Sequence, residues 1–313
     1  MQKFLRLVIL ILATVCLLLC LLDFLYTKVY LQSSNRGKID YVYNSDPRNF
    51  DVVILGSSRA NNHFVSQMFE DKGLKTFNFG MSGGHLFEAD LLLKLMLEHH
   101  YKIKNVILEA DLNLTNDHRA DGIASRFLPY LHDSKIVERH FSKEADFDYL
   151  YYIPFYRYIR FDPQIGFREM FFNGIHRKTS HLQNLGYHSL EVGKMGNMKN
   201  NIVSLKPLPH NKYYEEIKKI CKENKINLIV VMTPMCENVV GMTYFDKVKK
   251  AYPEIYNYEN AVVENKYFSS CGHMNDTGAR MFTARIIKDF FPHPSPLQRR
   301  GSLKRRENEF KNY

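Results

Sequence analysis

The sequence predicts an α/β protein in which helices wrap a parallel sheet. Short apolar segments at 52–55, 76–79 and 105–108 have the pattern of buried strands. Helical periodicity lies between them, most clearly at 86–97, where leucine and methionine side chains share one broad face. Strands that alternate with helices through short connections are typical of a parallel sheet.

The same alternation resumes near residue 212. A charged amphipathic helix, an apolar strand, a second helix and a short strand follow, and a last helix closes the domain. The predicted strands of this part lie at 227–232 and 254–258, and the predicted helices at 213–224, 245–252 and 277–290. A further helix, at 64–71, is predicted after the first strand. We therefore expect one α/β domain over 51–291 with an interruption in its middle.

The interruption, about 115–210, is rich in Tyr, Phe, His and Arg, and its densest part is 149–161. We expect a helical insertion that covers the active-site end of the sheet. Its aromatic side chains have two interpretations. In the first, they simply pack the insertion onto the core. In the second, the interleaved Tyr and Arg side chains form a platform that faces sugar or lipid.

The first thirty residues predict a signal anchor. Residues 7–22 carry no charge, and the length of this uncharged stretch is at the short end of what spans a membrane. Lys3 and Arg6 favour a cytoplasmic N-terminus, so the rest of the chain is expected outside the cytoplasm, periplasmic or on the cell surface. A cleaved signal peptide is the alternative, although no small-residue cleavage site follows the apolar stretch. Residues 31–50 are polar and are expected to form a stalk or a first irregular strand that leads from the membrane.

Charge and cysteine usage add two expectations. The formal net charge is +10, but the basic end at 292–313, which we expect to be disordered, carries part of it. Nucleic acid is therefore not an expected partner, and no cofactor or metal spacing is visible. Cys236 and Cys271 fall at the same end of the predicted sheet. A disulfide between them would suit an extracytoplasmic compartment, but the sequence leaves the pairing open.

Two residues in recognisable contexts point to acyl chemistry. Ser58 follows the first strand directly, and His273 lies in a polar loop before the last helix. A serine esterase needs a hydroxyl at a sharp strand-to-helix turn and a neutral imidazole within reach of it. Because ligands bind beyond the carboxyl ends of parallel strands, these two residues define the candidate site.

Three sequence blocks around these residues resemble the SGNH (GDSL-type) hydrolase superfamily. The first is Gly56-Ser57-Ser58, the second is the turn Asn78-Phe-Gly80-Met-Ser-Gly83, and the third is His273 followed by a short turn and a helix. The resemblance covers about 50–113 and 226–290. It implies a flavodoxin-like three-layer sandwich, Ser58 as nucleophile, His273 as base, and the Gly83 backbone N–H in the oxyanion hole, with Gly80 and Asn78 lining the site.

The chain departs from the superfamily pattern at two places. Ser270 stands where an Asp usually precedes the His by three residues, and Asp111-Leu-Asn113 replaces a Gly-x-Asn-Asp block. Asp111 could supply the missing acid or replace a donor, although a carboxylate donates only when protonated. Asn113 and Arg59 complete the set of site-lining candidates. The site therefore works either as a Ser–His dyad with help from elsewhere or as an impaired hydrolase.

Within the superfamily, the chain resembles the membrane-anchored, extracytoplasmic branch that acts in O-acylation of cell-surface polysaccharides. That resemblance implies a serine acyl esterase or O-acetyltransferase whose substrate is a cell-surface polysaccharide or another acylated glycan. It also implies a multi-spanning membrane acyltransferase as a partner. The alternative is a catalytically impaired subunit that binds glycan or scaffolds a polysaccharide-modification complex, which Ser270 and the aromatic insertion favour.

Overall fold

A computed structural model describes residues 1–32, 36–194, 196 and 198–292. It confirms the α/β class, a parallel central sheet with helices, and one long apolar helix at the N-terminus. The chain divides into two compact units. Unit 1 comprises 1–46, 91–99 and 120–180, and unit 2 comprises 47–90, 100–119 and the described residues from 181 onward. The expected basic tail lies outside the described residues, except for Pro292.

Unit 2 holds the strands of the described chain. They are β1 (Asn49–Leu55), β2 (Thr76–Asn78), β3 (Lys102–Glu109), β4 (Asn200–Asn201), β5 (Asn227–Met232), β6 (Val239–Val240), β7 (Tyr256–Asn257), β8 (Phe268–Ser270) and β9 (His273–Met274). The central sheet has five strands in the order β2-β1-β3-β5-β7, and all neighbours pair in parallel. The short β4 and β6 form a separate parallel pair, and β8 and β9 form an antiparallel hairpin.

The α-helices are distributed between the two units. In chain order they are α1 (Gln2–Leu31), α2 (Lys38–Asn44), α3 (Ser58–His63), α4 (Ser66–Glu70), α5 (Leu86–Glu98), α6 (Asp121–Ala124), α7 (Lys135–Phe141), α8 (Phe147–Tyr152), α9 (Tyr156–Arg160), α10 (Asp162–Ile165), α11 (Phe167–Gly174), α12 (Lys212–Glu223), α13 (Thr243–Ala251) and α14 (Asp276–Phe290). Short 3₁₀ segments lie at Leu112–Thr115, Ser125–Tyr130, Gln183–Gly186 and Asn265–Tyr267.

The core of unit 2 lies on both faces of the central sheet. Val52 and Ile54 of β1 belong to a buried cluster that includes Ala60 of α3 and Phe282 of α14. Val53, which points to the opposite face, is also fully buried. Parallel strands that are buried on both faces read as continuous apolar segments, and this is why these strands could be recognised in the sequence.

The topology brings several chain segments to one edge of the sheet. β1 lies between β2 and β3, so the chain runs to one side of β1 first and then to the other. Ligands bind at such a reversal, outside the carboxyl ends of the strands. The segments that follow β1, β2, β3 and β5 all leave the sheet at that edge.

The structure adds detail to two expectations about local structure. Residues 31–50 are not only a polar stalk, because α2 lies within them and its Ile39 and Val42 are buried, while β1 begins at Asn49. Helix α3 starts immediately after the first strand, as the strand-to-helix turn at Ser58 requires, whereas the predicted helical segment begins only at residue 64. Polar residues fill α3, so its sequence has no apolar periodicity, but they are buried in the fold.

Candidate active site

The first strand delivers two serines with different roles. Ser57 precedes α3, and its Oγ accepts a hydrogen bond from the Arg59 N–H at 3.1 Å, so Ser57 caps the helix. Ser58 is the first residue of α3, and its Oγ lies 2.7 Å from Nε2 of His273. Ser57 therefore caps the helix, and the Ser58 hydroxyl is left with the imidazole.

A tight hairpin presents His273. Strands β8 and β9 pair so that Ser270 lies directly opposite His273, with Cys271 and Gly272 in the turn. The Ser270 Oγ lies 3.0 Å from Nδ1 of His273. Both ring nitrogens therefore have a hydroxyl partner, and the three side chains form a continuous Ser270–His273–Ser58 line.

This line is compatible with the tautomer that acyl transfer requires. If Nε2 accepts the Ser58 proton, then Nδ1 carries hydrogen and donates to Ser270. Ser270 thereby orients the ring as a carboxylate would, but it adds no negative charge to stabilise an imidazolium. Burial lowers the pKa of His273, the nearby Arg59 charge lowers it further, and Asp111 partly opposes both. The imidazole is therefore held neutral, which is the form that a general base needs.

A buried ion pair lies behind Ser58. The Nη2 atom of Arg59 is 3.0 Å from Oδ2 of Asp111, and both side chains are almost fully buried. The same Asp111 oxygen accepts from the Thr233 N–H at 2.9 Å and from its hydroxyl at 3.2 Å. Arg59 also donates to the Thr233 carbonyl and, at 3.4 Å, to the Gly272 carbonyl in the turn before His273. The pair thus joins α3 to the ends of β3 and β5 and to the hairpin.

Asp111 therefore does not act as the acid next to His273. Its contacts go to Arg59, to Thr233 and to the Leu112 N–H, whereas Nδ1 of His273 is bonded to Ser270. Asp111 influences His273 only through its charge.

Glu109 is a second buried carboxyl that the sequence reasoning missed. It ends β3, is fully buried, and its Oε2 accepts from the Ser57 N–H at 2.9 Å and from the Ser57 hydroxyl at 2.7 Å. Burial and the neighbouring Asp111 raise the pKa of Glu109. A charged residue directly after the apolar Val106–Ile107–Leu108 run was the available signal. Glu109 fixes the strand-to-helix turn from which Ser58 projects.

The glycine-rich turn lies beside this serine turn. The Met81 N–H donates to the Gly56 carbonyl at 2.9 Å. Gly80 approaches α3 so closely that a Cβ atom would lie 2.5 Å from the Asn61 nitrogen, and therefore only glycine fits there. Gly83 has a φ of +83° and is exposed, which leaves its backbone accessible to a ligand.

Two asparagines of the predicted site have different surroundings. The amide nitrogen of Asn78 donates to the Ala60 and Phe64 carbonyls at 2.8 and 3.0 Å, so its side chain holds α3 against β2. Asn113 is buried, and its Nδ2 has no hydrogen-bond partner within the described residues. That nitrogen is a free donor near the end of β3.

His63 is a further histidine that sequence reasoning missed. It ends α3, is fully buried, and its Nε2 accepts a hydrogen bond from the Met274 N–H at 3.1 Å. Burial, followed by the charges of Arg59 and His273, lowers the pKa of His63. A neutral His63 therefore ties the helix that carries Ser58 to the strand that carries His273.

The hairpin is also covalently attached. Cys236 and Cys271 form a disulfide, and the Cys236 N–H donates to the Cys271 carbonyl at 3.0 Å. The bond connects the segment after β5 to the residue two positions before His273. It thus restrains the loop that carries the imidazole.

A cleft of about 690 Å³ opens at the start of α14. Its lining includes Tyr187, Ser189, Asp276 and Arg280. Asn275, rather than Asp276, caps the helix, because its side chain accepts from the Gly278 N–H. Asp276 instead accepts from the Tyr187 hydroxyl at 3.0 Å and from Arg280 at 2.7 Å. The lining reaches Asn275, two residues after His273, and combines these polar side chains with the apolar Val65, Leu190 and Val192.

Comparison with protein-family models gives no match to this chain, and comparison with curated proteins gives none either.

Proposed function

We propose that this protein is a membrane-anchored serine acyl esterase or O-acyltransferase of the SGNH type that acts on an extracytoplasmic glycan. One observation carries the proposal: the Ser58 hydroxyl lies 2.7 Å from a histidine whose second nitrogen is oriented by Ser270. The five-stranded order, equivalent to 2-1-3-4-5, is also that of flavodoxin-like sheets, and the three SGNH-like blocks lie at its ligand-binding edge.

The proposed reaction has two steps. Ser58 Oγ attacks the acyl carbon, its proton passes to Nε2 of His273, and the same proton then leaves with the departing alcohol. Water or a sugar hydroxyl next attacks the acyl–serine ester and gives its proton to Nε2 of His273. The same proton then passes to Ser58 Oγ as the C–O bond to serine breaks, which restores both side chains. The acceptor alone distinguishes an esterase from a transferase.

The developing oxyanion needs preorganised donors. We assign this role to the backbone N–H groups of Ser58 and Gly83, and the unpartnered Asn113 amide is suited to act as a third donor. Arg59 and Asp111 are positioning residues, because each is occupied by the other and by the chain segments around it.

Membrane anchoring is supported by α1, which is long and apolar enough to cross a bilayer. An extracytoplasmic location for unit 2 is supported independently by the Cys236–Cys271 disulfide, because disulfides persist in oxidising compartments. Lys3 and Arg6 at the start of α1 favour the same orientation.

A mass measurement tests the proposal directly. The full-length protein in detergent is incubated with an activated acetyl ester, and both the intact mass and ester hydrolysis are followed. An acetyl adduct or turnover that is absent in Ser58→Ala and His273→Ala supports the enzyme, and Ser57→Ala should keep the nucleophile.

The second candidate is an impaired subunit that binds glycan, and the neutral Ser270 beside the imidazole favours it. A folded wild-type protein that forms no adduct and hydrolyses no ester would support this candidate. In that case, product formation in cells should survive Ser58→Ala but not deletion of 115–210.

A further inference from the structure

Helix α1 changes its surroundings abruptly near Asp23. Its apolar part is exposed along its length, and this includes Val15 and Leu18. Tyr26 and Tyr30, one and two turns later, are buried within unit 1. A hydrocarbon core about 30 Å thick takes about 20 helical residues at 1.5 Å each. Counted from Leu7, such a span ends at Tyr26, so Asp23 lies close to the membrane boundary.

The insertion supplies the partner that an acidic residue needs at this depth. Oδ1 of Asp23 lies 2.7 Å from Nη2 of Arg157, a side chain that is almost fully buried, and Oδ2 accepts from the Phe155 N–H at 2.7 Å. The Arg157 guanidinium also donates to Thr27 at 3.0 Å. Charged residues near the hydrocarbon region are typically paired in this way. The loop between α8 and α9 is therefore level with the end of the apolar stretch.

A cavity between α1 and the insertion indicates independently that the insertion lies beside the end of the apolar stretch. Cys20 and Phe24 of α1 line a cavity of about 340 Å³ together with Tyr151, Tyr152 and Pro154. Cys20 belongs to the uncharged stretch itself. Part of the insertion thus lies beside the last apolar turns of α1 rather than beyond them.

The exposed apolar side chains of unit 1 outside α1 are concentrated in one segment of the chain. Among its described residues, every exposed large hydrophobic side chain outside α1 lies between 149 and 175. We call this set the aromatic collar; its members are Tyr149, Tyr152, Ile153, Ile159, Phe167, Phe171 and Ile175. Tyr152 is 70% exposed and Phe167 is 64% exposed, although both are large enough to bury considerable area.

Basic side chains accompany the collar. Arg160 is exposed, and the Arg168 side chain is 73% exposed. Tyrosine, phenylalanine and aliphatic side chains with interspersed arginine are typical of segments that lie in the headgroup region of a bilayer. Arginine there is attracted to lipid phosphates.

We propose that the aromatic collar inserts into the surface of the same membrane that α1 crosses, so that unit 1 is seated on phospholipid at the point where α1 emerges. The inference rests on the proposed membrane anchoring. The sequence left three interpretations of the aromatic-rich insertion open: core packing, sugar contact and lipid contact. The proposal assigns lipid contact to its exposed members.

Tryptophan fluorescence tests this proposal, because the chain contains no Trp and a single introduced Trp reports alone. Tyr152→Trp and Phe167→Trp are made in the full-length protein and reconstituted into phosphatidylcholine–phosphatidylglycerol vesicles. Val15→Trp in α1 is the membrane control, and Tyr256→Trp, at a 48% exposed aromatic of unit 2, is the water-exposed control. Each variant is quenched by lipids with brominated acyl chains and, separately, by aqueous iodide.

We expect brominated lipid to remove most of the fluorescence of the two collar variants and of Val15→Trp, while iodide quenches only Tyr256→Trp. If Val15→Trp is quenched by lipid but the collar variants are quenched by iodide, the collar proposal is overturned and the anchor stands. If Val15→Trp is insensitive to lipid, the anchor fails and the collar proposal with it. Collar variants that neither reagent reaches would indicate that protein, not lipid, covers the surface.

Discussion

Ser270 occupies the position opposite His273 in a two-residue hairpin, so its influence on the imidazole is direct. Replacing it by alanine removes the partner of Nδ1 without touching Ser58. We expect Ser270→Ala to lower kcat about fivefold, which corresponds to the roughly 1 kcal/mol of one neutral hydrogen bond. Ester hydrolysis under saturating substrate measures this effect. An unchanged kcat would mean that another group orients the ring.

The depressed pKa of His273 makes a separate prediction for the pH profile. Because burial and Arg59 disfavour the imidazolium, the neutral base persists to lower pH than in an ordinary histidine. The acid limb of kcat/KM should therefore lie below the usual histidine pKa of about 6.5. Ser270→Asp places a carboxylate beside Nδ1, which favours the imidazolium, so the limb should move to higher pH. A limb that moves to lower pH would contradict the assignment of His273 as the base.

Arg59 and Asp111 form an ion pair that is nearly inaccessible to water, and removing one partner leaves a buried charge. We expect Arg59→Met to lower the free energy of unfolding by about 3–5 kcal/mol. The double variant Arg59→Met with Asp111→Asn should lose less than the sum of the two single variants, because the uncompensated charge is gone. Urea denaturation measures each of these variants.

The exposed pair Arg285–Asp289, with its atoms 2.8 Å apart, is the matched control. Arg285→Met should lower the free energy of unfolding by at most about 1 kcal/mol, as is usual for exposed pairs. Equal losses in Arg59→Met and Arg285→Met would mean that burial of the Arg59–Asp111 pair has no special consequence.

Among the elements, the hairpin β8–β9 depends on the Cys236–Cys271 disulfide for part of its rigidity. The two cysteines are separated by 35 residues, and a loop of that size corresponds to about 3–4 kcal/mol of stabilisation in the chain-entropy description. The double variant Cys236→Ser with Cys271→Ser should lose stability on that scale, and ester hydrolysis should fall because the His273 loop is released. Thermal unfolding and hydrolysis are followed with and without reductant.

Cys16→Ser removes an exposed thiol of α1 and is the control for cysteine replacement as such. It should respond to reductant as the wild-type protein does. If reductant leaves the hydrolysis rate of the wild-type protein unchanged, the disulfide does not contribute to holding His273.

The elements that the sequence could predict are those whose apolar pattern is uninterrupted. Strand β5 coincides with its predicted bounds, because 227–232 is apolar after Asn227 and buried toward its carboxyl end. The apolar periodicity did not indicate the bounds of α3, because Arg59, Asn62 and His63 are polar and only tertiary contacts make them interior residues. Local periodicity carries no information about such contacts.

The same limit applies to the candidate site. Ser58 and His273 stand in short recognisable contexts, and the structure brings them within hydrogen-bond distance. Their supporting residues Glu109, Thr233 and His63 act through buried contacts between distant segments. Spacing along the chain does not reveal these contacts. The sequence shows Ser270 only as a departure from a family pattern. The structure places Ser270 opposite His273 in the hairpin, where its hydroxyl can orient the imidazole.

At the scale of the whole molecule, the proposed function requires that the two ends of α1 face different compartments. Lys3 precedes the apolar stretch, whereas Lys222 and Lys247 are exposed on unit 2. In intact cells whose outer surface is accessible to reagent, a membrane-impermeant amine reagent should modify Lys222 and Lys247. Lys3 should react only after the membrane is permeabilised. Mass mapping of the labelled peptides measures both sites in one sample.

Each lysine is thus the control for the others, because all three are modified once the membrane is opened. The reverse pattern, with Lys3 modified in intact cells, would put unit 2 in the cytoplasm. A cytoplasmic unit 2 could not reach a surface glycan, and its Cys236–Cys271 bond would then face a reducing compartment. The orientation of α1 therefore decides whether Ser58 can act on a cell-surface polysaccharide at all, and it does so independently of whether Ser58 forms an acyl intermediate.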